Sequence, residues 1–522
     1  MKKYILISSI FLLGFTQSCS ESSLDLEANS VVNIEIPRTE EQLQMLLNGA
    51  YYNLGSTSGF GTELMIFGDL LGDNLFVSST NANFVLTNNK NYNSNQGEFG
   101  FYGLMYNAIM KCNMIINDTN VASNINVERM KAEAKIVRAL AYFTLVTYYS
   151  PSPTSGINQE YGIPIVLGNY DSLIQPKRNT VAEVYEQIIS DLNAGINANV
   201  GTSLDKPNRS TLGKTAAKLL LSRVYLTRRA AGDAQLALQY SSDIVNNATP
   251  TDQNGYAPIN ASALTDPTKA FNATTNPYKF FTYFAGTDDS VSENQQETIW
   301  ELDVNDLANQ VTGIGSNVAL PLYYHRTGDK RSLLFNQTFY NSFGTPPTTA
   351  TQILNDDVRR GSSSAGLLIS TGVPTTDTPR GFWTNKYPRL TSASAGSSQV
   401  ALMRNIKVFR FAEAQLNEIE ALYLTGQQAL ALTKLNEFAL SRKGRTYTGA
   451  NLLNDILTER AKEFYGEGQR FWDLKRYNLS ITKPSNCNMN CDVKADDKLR
   501  VLPMTLGALN SNANLTQYPG YN

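Results

Sequence analysis

Hydrophobic positions repeat at helical spacing in the first half of the chain and again near its C-terminus. In the clearest stretch, 127–149, apolar side chains recur every three or four residues until the sequence S-P-S-P ends the pattern. Thr39 with Gln42, and Thr180 with Glu183, have the spacing of helix N-caps. The pattern predicts helices over residues 39–54, 101–117, 127–149, 181–196, 212–230, 233–246, 406–425, 427–442 and 452–465.

Between these helical parts the pattern changes. Residues 249–399 are rich in Thr, Ser, Asn, Gly and Pro, and they hold only short apolar runs such as 297–302. That composition predicts loops with a few short strands and short helices. Because irregular segments of this length inside a compact protein are usually functional, we expect this insert to carry a functional role.

Two of the predicted helix pairs share a short stretch of similar sequence. The run Y-L-T at 225–227 precedes Gly232 and L-A-L, and the run Y-L-T at 423–425 precedes Gly426 and A-L. Helical hairpins with a glycine at the turn are typical of tetratricopeptide-type repeats. The sequence therefore predicts a mainly α fold. It would be a single domain, 39–522, whose tetratricopeptide-like helical-hairpin scaffold (39–248 and 400–480) carries a large irregular, loop-rich insert with a few short strands (about 249–399).

The N-terminus has the features of an export signal. Lys2 and Lys3 precede an apolar run at 4–15 that is short for a membrane span, and T-Q-S at 16–18 leads to Cys19. This pattern resembles a bacterial lipoprotein signal. It predicts a signal peptide at 1–18, acylation of Cys19, and a tether over 19–38. A secretory signal with a cysteine in this place by chance remains the alternative.

Composition and charge exclude several function classes. The net charge of −2 becomes −4 once Lys2 and Lys3 leave with the signal peptide, so no basic field favours nucleic acid. The chain has 27 Tyr and 22 Phe but a single histidine, His325. One histidine leaves little room for a catalytic triad or a multi-histidine metal centre. These features favour a binding protein over an enzyme.

The cysteines and a nearby acidic loop complete the candidate chemistry. Cys112 lies in a predicted helix, where we expect a buried thiol. Cys487 and Cys491 flank N-M-N in a polar loop, and after export they would favour a local disulfide over a metal site. A solvated acidic loop is favoured over structural calcium for three aspartates that lack EF-hand spacing: Asp492, Asp496 and Asp497. We predict no cofactor.

A run near the C-terminus is similar to a known family signature. Residues 459–476 read E-R-A-K-E-F-Y-G-E-G-Q-R-F-W-D-L-K-R, which resembles the E-R-x-x-E, E-G-x-R and D-L-x-R elements of SusD/RagB lipoproteins. Segments 132–143, 161–166, 411–418 and 517–521 resemble other family segments, in the expected order. The resemblance implies a helical scaffold with tetratricopeptide-like units and an irregular ligand-facing half. It also implies an outer-membrane lipoprotein that partners a SusC-type TonB-dependent transporter.

The charged residues of that run admit two interpretations. Arg460, Glu463 and Glu467 lie three and four residues apart, and Asp473 and Arg476 follow after two glycines. Alternating signs predict an ion-pair network. The other interpretation is a pair of glycosidase carboxylates, but neighbouring arginines would hold such carboxylates ionised and structural.

A glycan-binding protein needs aromatic faces for sugar C–H groups and polar groups for hydroxyls. We predict contacts from exposed loops, and Trp383 is the foremost because it lies in a polar, glycine-bounded stretch. Trp300 and Trp472 are assigned to the core. The full predicted set is Asp73, Asn74, Phe76, Tyr92, Tyr323, Tyr324, Arg326, Trp383 and Tyr387.

The predicted function is capture of a poly- or oligosaccharide at the cell surface for a SusC-type transporter. The protein would be held in the outer membrane by its lipid anchor and would face the exterior. Capture of peptides by a RagB-like subunit is the alternative, and a glycoside hydrolase is the third class considered.

Overall fold

The computed structural model describes residues 36–521 apart from several short gaps. Those gaps are 80–82, 96–97, 170, 172, 201–203, 206–208, 253, 274, 287–288, 305–318, 328–329, 361–365, 371, 374–375, 378–379, 389–403 and 484–486. The predicted signal peptide, Cys19 and most of the predicted tether lie outside the described residues.

Helices dominate the described chain. They are α1 (Glu40–Gly55), α2 (Glu63–Leu70), α3 (Val85–Asn88), α4 (Phe101–Ile116), α5 (Ile125–Tyr149), α6 (Val181–Asn197), α7 (Lys214–Arg228), α8 (Asp233–Asn246), α9 (Lys279–Ala285), α10 (Asp289–Ser292), α11 (Leu320–Tyr324), α12 (Gln337–Ser342), α13 (Ala350–Leu354), α14 (Phe411–Leu424), α15 (Gln428–Ser441), α16 (Leu452–Phe464), α17 (Arg470–Arg476) and α18 (Leu506–Ser511). Short 3₁₀ turns lie at Pro153–Ser155 and Lys498–Arg500. None of these helices combines the length and apolarity needed to cross a bilayer.

The strands are short and pair two by two. They are β1 (Leu75–Val77), β2 (Thr298–Leu302), β3 (Leu333–Phe335), β4 (Leu368–Ile369), β5 (Trp383–Thr384), β6 (Ile406–Arg410), β7 (Ile481–Thr482) and β8 (Asp492–Val493). The antiparallel pairs are β1 with β3, β2 with β6, β4 with β5, and β7 with β8. A single bridge between Phe335 and Phe382 joins β3 to the residue before β5.

The long helices form one array in which each packs on the next. α1 packs on α4 and α5, α5 on α6, α6 on α7, α7 on α8, and α14 closes the series by packing on α8, α15 and α16. Gly232 and Gly426 turn the α7–α8 and α14–α15 hairpins with φ of 85° and 82°, which glycine adopts without strain. The predicted tetratricopeptide-like scaffold is therefore confirmed, and the insert separates hairpins that are neighbours in space.

The helix predicted over 406–425 begins later in the structure than the sequence predicts. Residues 406–410, predicted as the start of a helix, form β6 instead and pair with β2. Every residue of both strands is buried. Ile406, Val408 and Phe409 are β-branched or aromatic and suit a pleated, buried surface, and a distant partner strand decides the choice. The helix begins at Phe411.

The predicted core assignments hold. Trp300 is fully buried and donates from Nε1 to the Ser210 carbonyl at 3.3 Å. Trp472 donates to the Thr227 hydroxyl at 2.8 Å. Cys112 has no exposed surface, and burial raises the pKa of its thiol to about 12.

Candidate ligand-binding face

Most of the predicted contact residues are not on the surface. Six of the nine have less than a tenth of their surface exposed: Asn74, Phe76, Tyr92, Tyr323, Tyr324 and Trp383. The prediction that they stand in exposed loops is wrong. A side chain that is buried on all sides cannot stack on a sugar without movement of its neighbours, although a binding role for the set stays a prediction.

The packing around Trp383 explains why the prediction of its exposure is wrong. It lies in β5, pairs with Ile369 of β4, and has 0% of its surface exposed. Its neighbours in a small apolar cluster are Phe76, Leu334, Ile369 and Val373. Gly381 permits this packing, because a Cβ there would come within 2.7 Å of Leu334. The glycine-bounded stretch is a buried hairpin.

Tyr324 and Tyr387 connect the insert to the signature loop. Their rings stack with centroids 5.4 Å apart, and the Tyr387 hydroxyl donates to the Gly466 carbonyl at 2.7 Å. Asp73 and Tyr92 also form hydrogen bonds with other parts of the protein. Asp73 accepts two hydrogen bonds from the Arg470 guanidinium at 2.7 and 2.8 Å, and the Tyr92 hydroxyl donates to the Leu499 carbonyl.

One predicted residue, Tyr323, contacts a phenylalanine that sequence analysis missed. Arg326 is exposed, and it follows Tyr323, whose ring lies 5.0 Å from that of Phe84 at an angle of 57°. The Lys330 ammonium lies 3.4 Å from the Tyr323 hydroxyl. We call Phe84, Tyr323, His325, Arg326 and Lys330 the Phe84 face. Except for the buried Tyr323, they are exposed or partly exposed.

The backbone of Phe84 is in an unusual conformation. Its φ of 61° lies in the left-handed region, where a Cβ crowds the carbonyl oxygen, so an aromatic residue is rarely found there. The ring is supported from below by Phe67, whose centroid lies 5.7 Å away in an edge-on contact. Strain of this kind persists where the surroundings impose it, and it is concentrated at functional sites. Nothing in the local sequence N-F-V signals a left-handed residue.

A polar rim borders the face at the end of β1. Ser78 and Ser79 donate from their hydroxyls to Asp377 at 2.8 and 2.6 Å, and the Ser79 amide donates to the same carboxylate at 2.8 Å. The Ser78 amide donates to the Ser332 carbonyl at 2.7 Å, and the Ser332 amide donates to the Tyr323 carbonyl at 3.2 Å. These bonds join the rim to the aromatic pair.

Burial also sets the charge of the groups beneath the face. Burial raises the pKa of Tyr323 to about 12, and Glu63 adds to the effect, so the phenol is neutral at neutral pH. Burial likewise raises the pKa of Glu63 to about 7, against a hydrogen bond from Ser58. The cationic side chains of the face are the exposed Arg326 and the partly exposed Lys330.

The carboxylates of the C-terminal signature do not form an open catalytic pair. Glu463 and Glu467 are buried and contact Arg410 at 2.9 and 2.7 Å, and Asp473 contacts Arg460 at 3.0 Å. Further pairs extend the cluster through Arg359 to Asp357 and Glu459, through Lys386 to Glu467, and through Arg476 to Glu420. The predicted ion-pair network is confirmed, and its position inside the protein contradicts the glycosidase interpretation of these residues.

The predicted local disulfide is also confirmed. Cys487 and Cys491 form a disulfide at the end of the β7–β8 hairpin. In the neighbouring acidic loop, Asp492 pairs with Lys494 at 2.5 Å, and Asp497 accepts from the Leu499 amide at 2.9 Å. The solvated acidic loop, favoured over structural calcium, stays a prediction.

Family comparisons agree with the fold and the signature. Residues 23–226 match a family model, SusD-like, described as starch-binding and associating with the outer membrane, and residues 242–521 match the model of the SusD family. The second match covers more than half of the chain. The chain belongs to the SusD family.

Among curated relatives, this SusD-family chain is 25% identical over 567 residues to SusD-like protein P2 of Formosa agariphila, and the match covers 100% of both. A SusD-like protein of Bacteroides ovatus is 26% identical over 266 residues, a match that spans 48% of this chain and 45% of that relative.

Solved structures show the same fold at low identity. A SusD superfamily protein from Bacteroides thetaiotaomicron superposes with a TM-score of 0.72 at 22% identity, covering 92% of this chain and 100% of that one. Surface glycan-binding protein A from Bacteroides uniformis gives 0.65 at 19% identity, with 92% and 99% covered. At these identities the likeness concerns the fold.

Proposed function

We propose that this protein captures a poly- or oligosaccharide at the outer surface of the cell and presents it to a SusC-type TonB-dependent transporter. The family match and the glycan-binding neighbour support a carbohydrate ligand. The observation that carries the proposal is the Phe84–Tyr323 pair, an aromatic contact with an exposed arginine three residues after Tyr323 in the chain. Acylation at Cys19 would hold the protein in the outer membrane.

The Phe84 face offers the two kinds of contact that a sugar needs. An aromatic ring covers the apolar C–H side of a pyranose, and cationic donors bind its hydroxyl or carboxylate oxygens. Phe84 supplies the accessible ring, Tyr323 fixes it from the side, and Arg326 and Lys330 supply donors at the edge. No step in capture and release makes or breaks a covalent bond.

Affinity electrophoresis tests the proposal. The chain from Ser20 onward is run through native gels that contain one polysaccharide each, and reducing ends and bound peptides are assayed in parallel. We expect retardation by at least one polysaccharide, lost in Phe84→Ala and weakened in Arg326→Ala. Phe271→Ala is the matched control, because Phe271 is another partly exposed phenylalanine, stacked on Tyr278 with centroids 4.9 Å apart.

The outcomes separate the function classes. Retardation that survives Phe84→Ala would remove the Phe84 face from the proposal. Retention of peptides with no response to any polysaccharide would favour a peptide-capturing subunit. Release of new reducing ends would show a glycoside hydrolase and overturn the binding proposal.

A further inference from the structure

The disulfide loop contacts the turn that follows α3. Asn490 lies between the two bridged cysteines, and its side-chain amide donates to the carbonyls of Asn89 and Lys90 at 3.2 and 3.1 Å. These two carbonyls come directly after the four-residue helix α3. Asn490 itself has a φ of 52°, a left-handed conformation that asparagine tolerates better than most residues.

The capped turn is the far end of the segment that carries Phe84. Phe84 is the N-cap of α3, and Lys90 follows the helix with a φ of 47°. Seven residues therefore include two left-handed positions, neither of them glycine. Each such position costs free energy, so contacts from outside the segment must hold it in place.

Two other sets of contacts hold the middle of this segment. Glu98 accepts hydrogen bonds from the amide and the hydroxyl of Thr87. The Asn88 side-chain oxygen accepts from the Val77 amide and from the Lys483 ammonium, each at 3.2 Å. Lys483 directly follows β7, so the hairpin that carries the disulfide contributes to the Asn88 contacts as well as to the Asn490 contacts.

We propose that the Cys487–Cys491 disulfide loop is a positioning element of the Phe84 face, and that Asn490 is the residue through which it acts. The proposal rests on the proposed function of that face. The cross-link restricts the loop so that the Asn490 amide stays against the two carbonyls. With that cap in place, the turn at Lys90 and the short helix hold Phe84 in its left-handed conformation beside Tyr323.

Opening the disulfide releases this restraint. Two-electron reduction by an added dithiol such as dithiothreitol breaks the S–S bond, gives two thiols, and oxidises the dithiol to its cyclic disulfide. The freed loop has more conformations available, and the Asn490 cap is lost for part of the time. The segment 84–90 then relaxes toward ordinary backbone conformations, and the ring of Phe84 leaves its place.

The test compares three variants of the chain from Ser20 onward. Cys487→Ser combined with Cys491→Ser removes the bridge. Asn490→Gly keeps the left-handed backbone and removes the amide donor. Cys112→Ser is the control, because it alters a buried thiol in α4 that has no part in the loop.

Two readouts are made on each variant. The first is the affinity for the polysaccharide that retards the wild-type protein. The second is hydrogen exchange of the amides of Asn88, Asn89 and Lys90, which bond within the segment at 2.9 to 3.1 Å. We expect the bridge-less variant and Asn490→Gly to bind about tenfold more weakly and to exchange these amides faster. Exchange in α5 should not change.

The two readouts keep this inference separate from the proposed function. If the wild-type protein binds no polysaccharide, the proposed function fails, and exchange at 84–90 still decides whether the loop positions the segment. Unchanged exchange in both the bridge-less and the Asn490→Gly variants would overturn the inference. Faster exchange with affinity unaltered would also overturn it, because the segment would then move without effect on the face.

Discussion

Replacing Glu463 with glutamine measures what the buried ion-pair network contributes to stability. The side chain has no exposed surface, and its oxygens lie 2.9 Å from Arg410 and 3.4 Å from both Arg359 and Arg442. Burial by itself would raise the pKa of Glu463, but the guanidinium groups of Arg442, Arg410 and Arg359 hold that pKa well below its usual range. The carboxylate is therefore charged at neutral pH.

The loss of unfolding free energy in Glu463→Gln depends on which cation loses its partner. Glutamine keeps the shape of the side chain and removes its charge. Arg410 retains two other carboxylates, those of Glu297 and Glu467, and Arg359 retains those of Asp357 and Glu459. Among the described residues, Glu463 is the carboxylate that pairs with Arg442. Leaving one buried cation without its partner costs about 3–5 kcal/mol, and we expect Glu463→Gln to lose that amount of unfolding free energy.

Urea unfolding followed by far-ultraviolet circular dichroism checks this value, since urea, unlike guanidinium, does not screen charges. Glu186→Gln is the control: Glu186 is 70% exposed where it pairs with Arg228, and its loss should cost less than about 1 kcal/mol. Adding Arg442→Gln to Glu463→Gln should restore part of the stability, because the unpaired cation is then absent. A Glu463→Gln variant within about 1 kcal/mol of the wild-type protein would refute the reasoning.

Three further predictions follow from other parts of the structure. Burial raises the pKa of Asp69 to about 7, against a hydrogen bond from Gly468, so the folded state binds a proton more tightly than the unfolded state. The contribution of Asp69 to stability then falls as pH rises from about 4 to about 7, and Asp69→Asn should remove that contribution from the pH dependence of the urea midpoint. An unaltered pH dependence would contradict this. Trp383→Ala should lower the unfolding free energy by about 3–5 kcal/mol and leave glycan affinity of the folded protein unchanged, as measured on native gels. Cys19→Ala should move the protein out of the membrane fraction, whereas Cys112→Ser should not; membrane retention of Cys19→Ala would disprove acylation there.

The long helices could be predicted because their apolar periodicity extends over many residues. α5 is the clearest example, with a repeating pattern from 127 to 149 and an observed helix at Ile125–Tyr149. α2 could not be predicted in this way, since all but the first of its residues are buried and the sequence E-L-M-I-F-G-D-L has no polar face. β6 was missed because pairing with β2, about a hundred residues earlier, decides its conformation.

The Phe84 face was harder to predict for a related reason. Polar neighbours were taken as a sign of exposure around Trp383, but those neighbours are themselves inside the protein. Lys386 is buried, and its ammonium donates to Glu467 and to the Glu463 carbonyl, each at 2.7 Å. A polar residue can be buried wherever a distant segment supplies its partner, and one local stretch of sequence does not contain that segment. Phe84 escaped notice because a backbone dihedral of an aromatic residue leaves no mark in the sequence.

The signature motif and the Phe84 face are connected through the backbone. Close packing of α2 on the signature turn requires glycine at position 68, because a Cβ on Gly68 would come within 1.9 Å of the Gly468 carbonyl oxygen. Asp69 accepts from the Gly468 amide at 2.9 Å, and Arg470 holds Asp73.

Asp73 lies two residues before β1, and β1 leads to the polar rim and then to Phe84. Most residues of the signature are buried, and Arg470 is partly exposed. The charged residues of the signature fix where β1 begins, and β1 in turn sets the position of the rim. A weakened signature should therefore reduce glycan affinity only through lower stability of β1 and its neighbours, whereas changes at Phe84 or Asn490 should act on affinity directly.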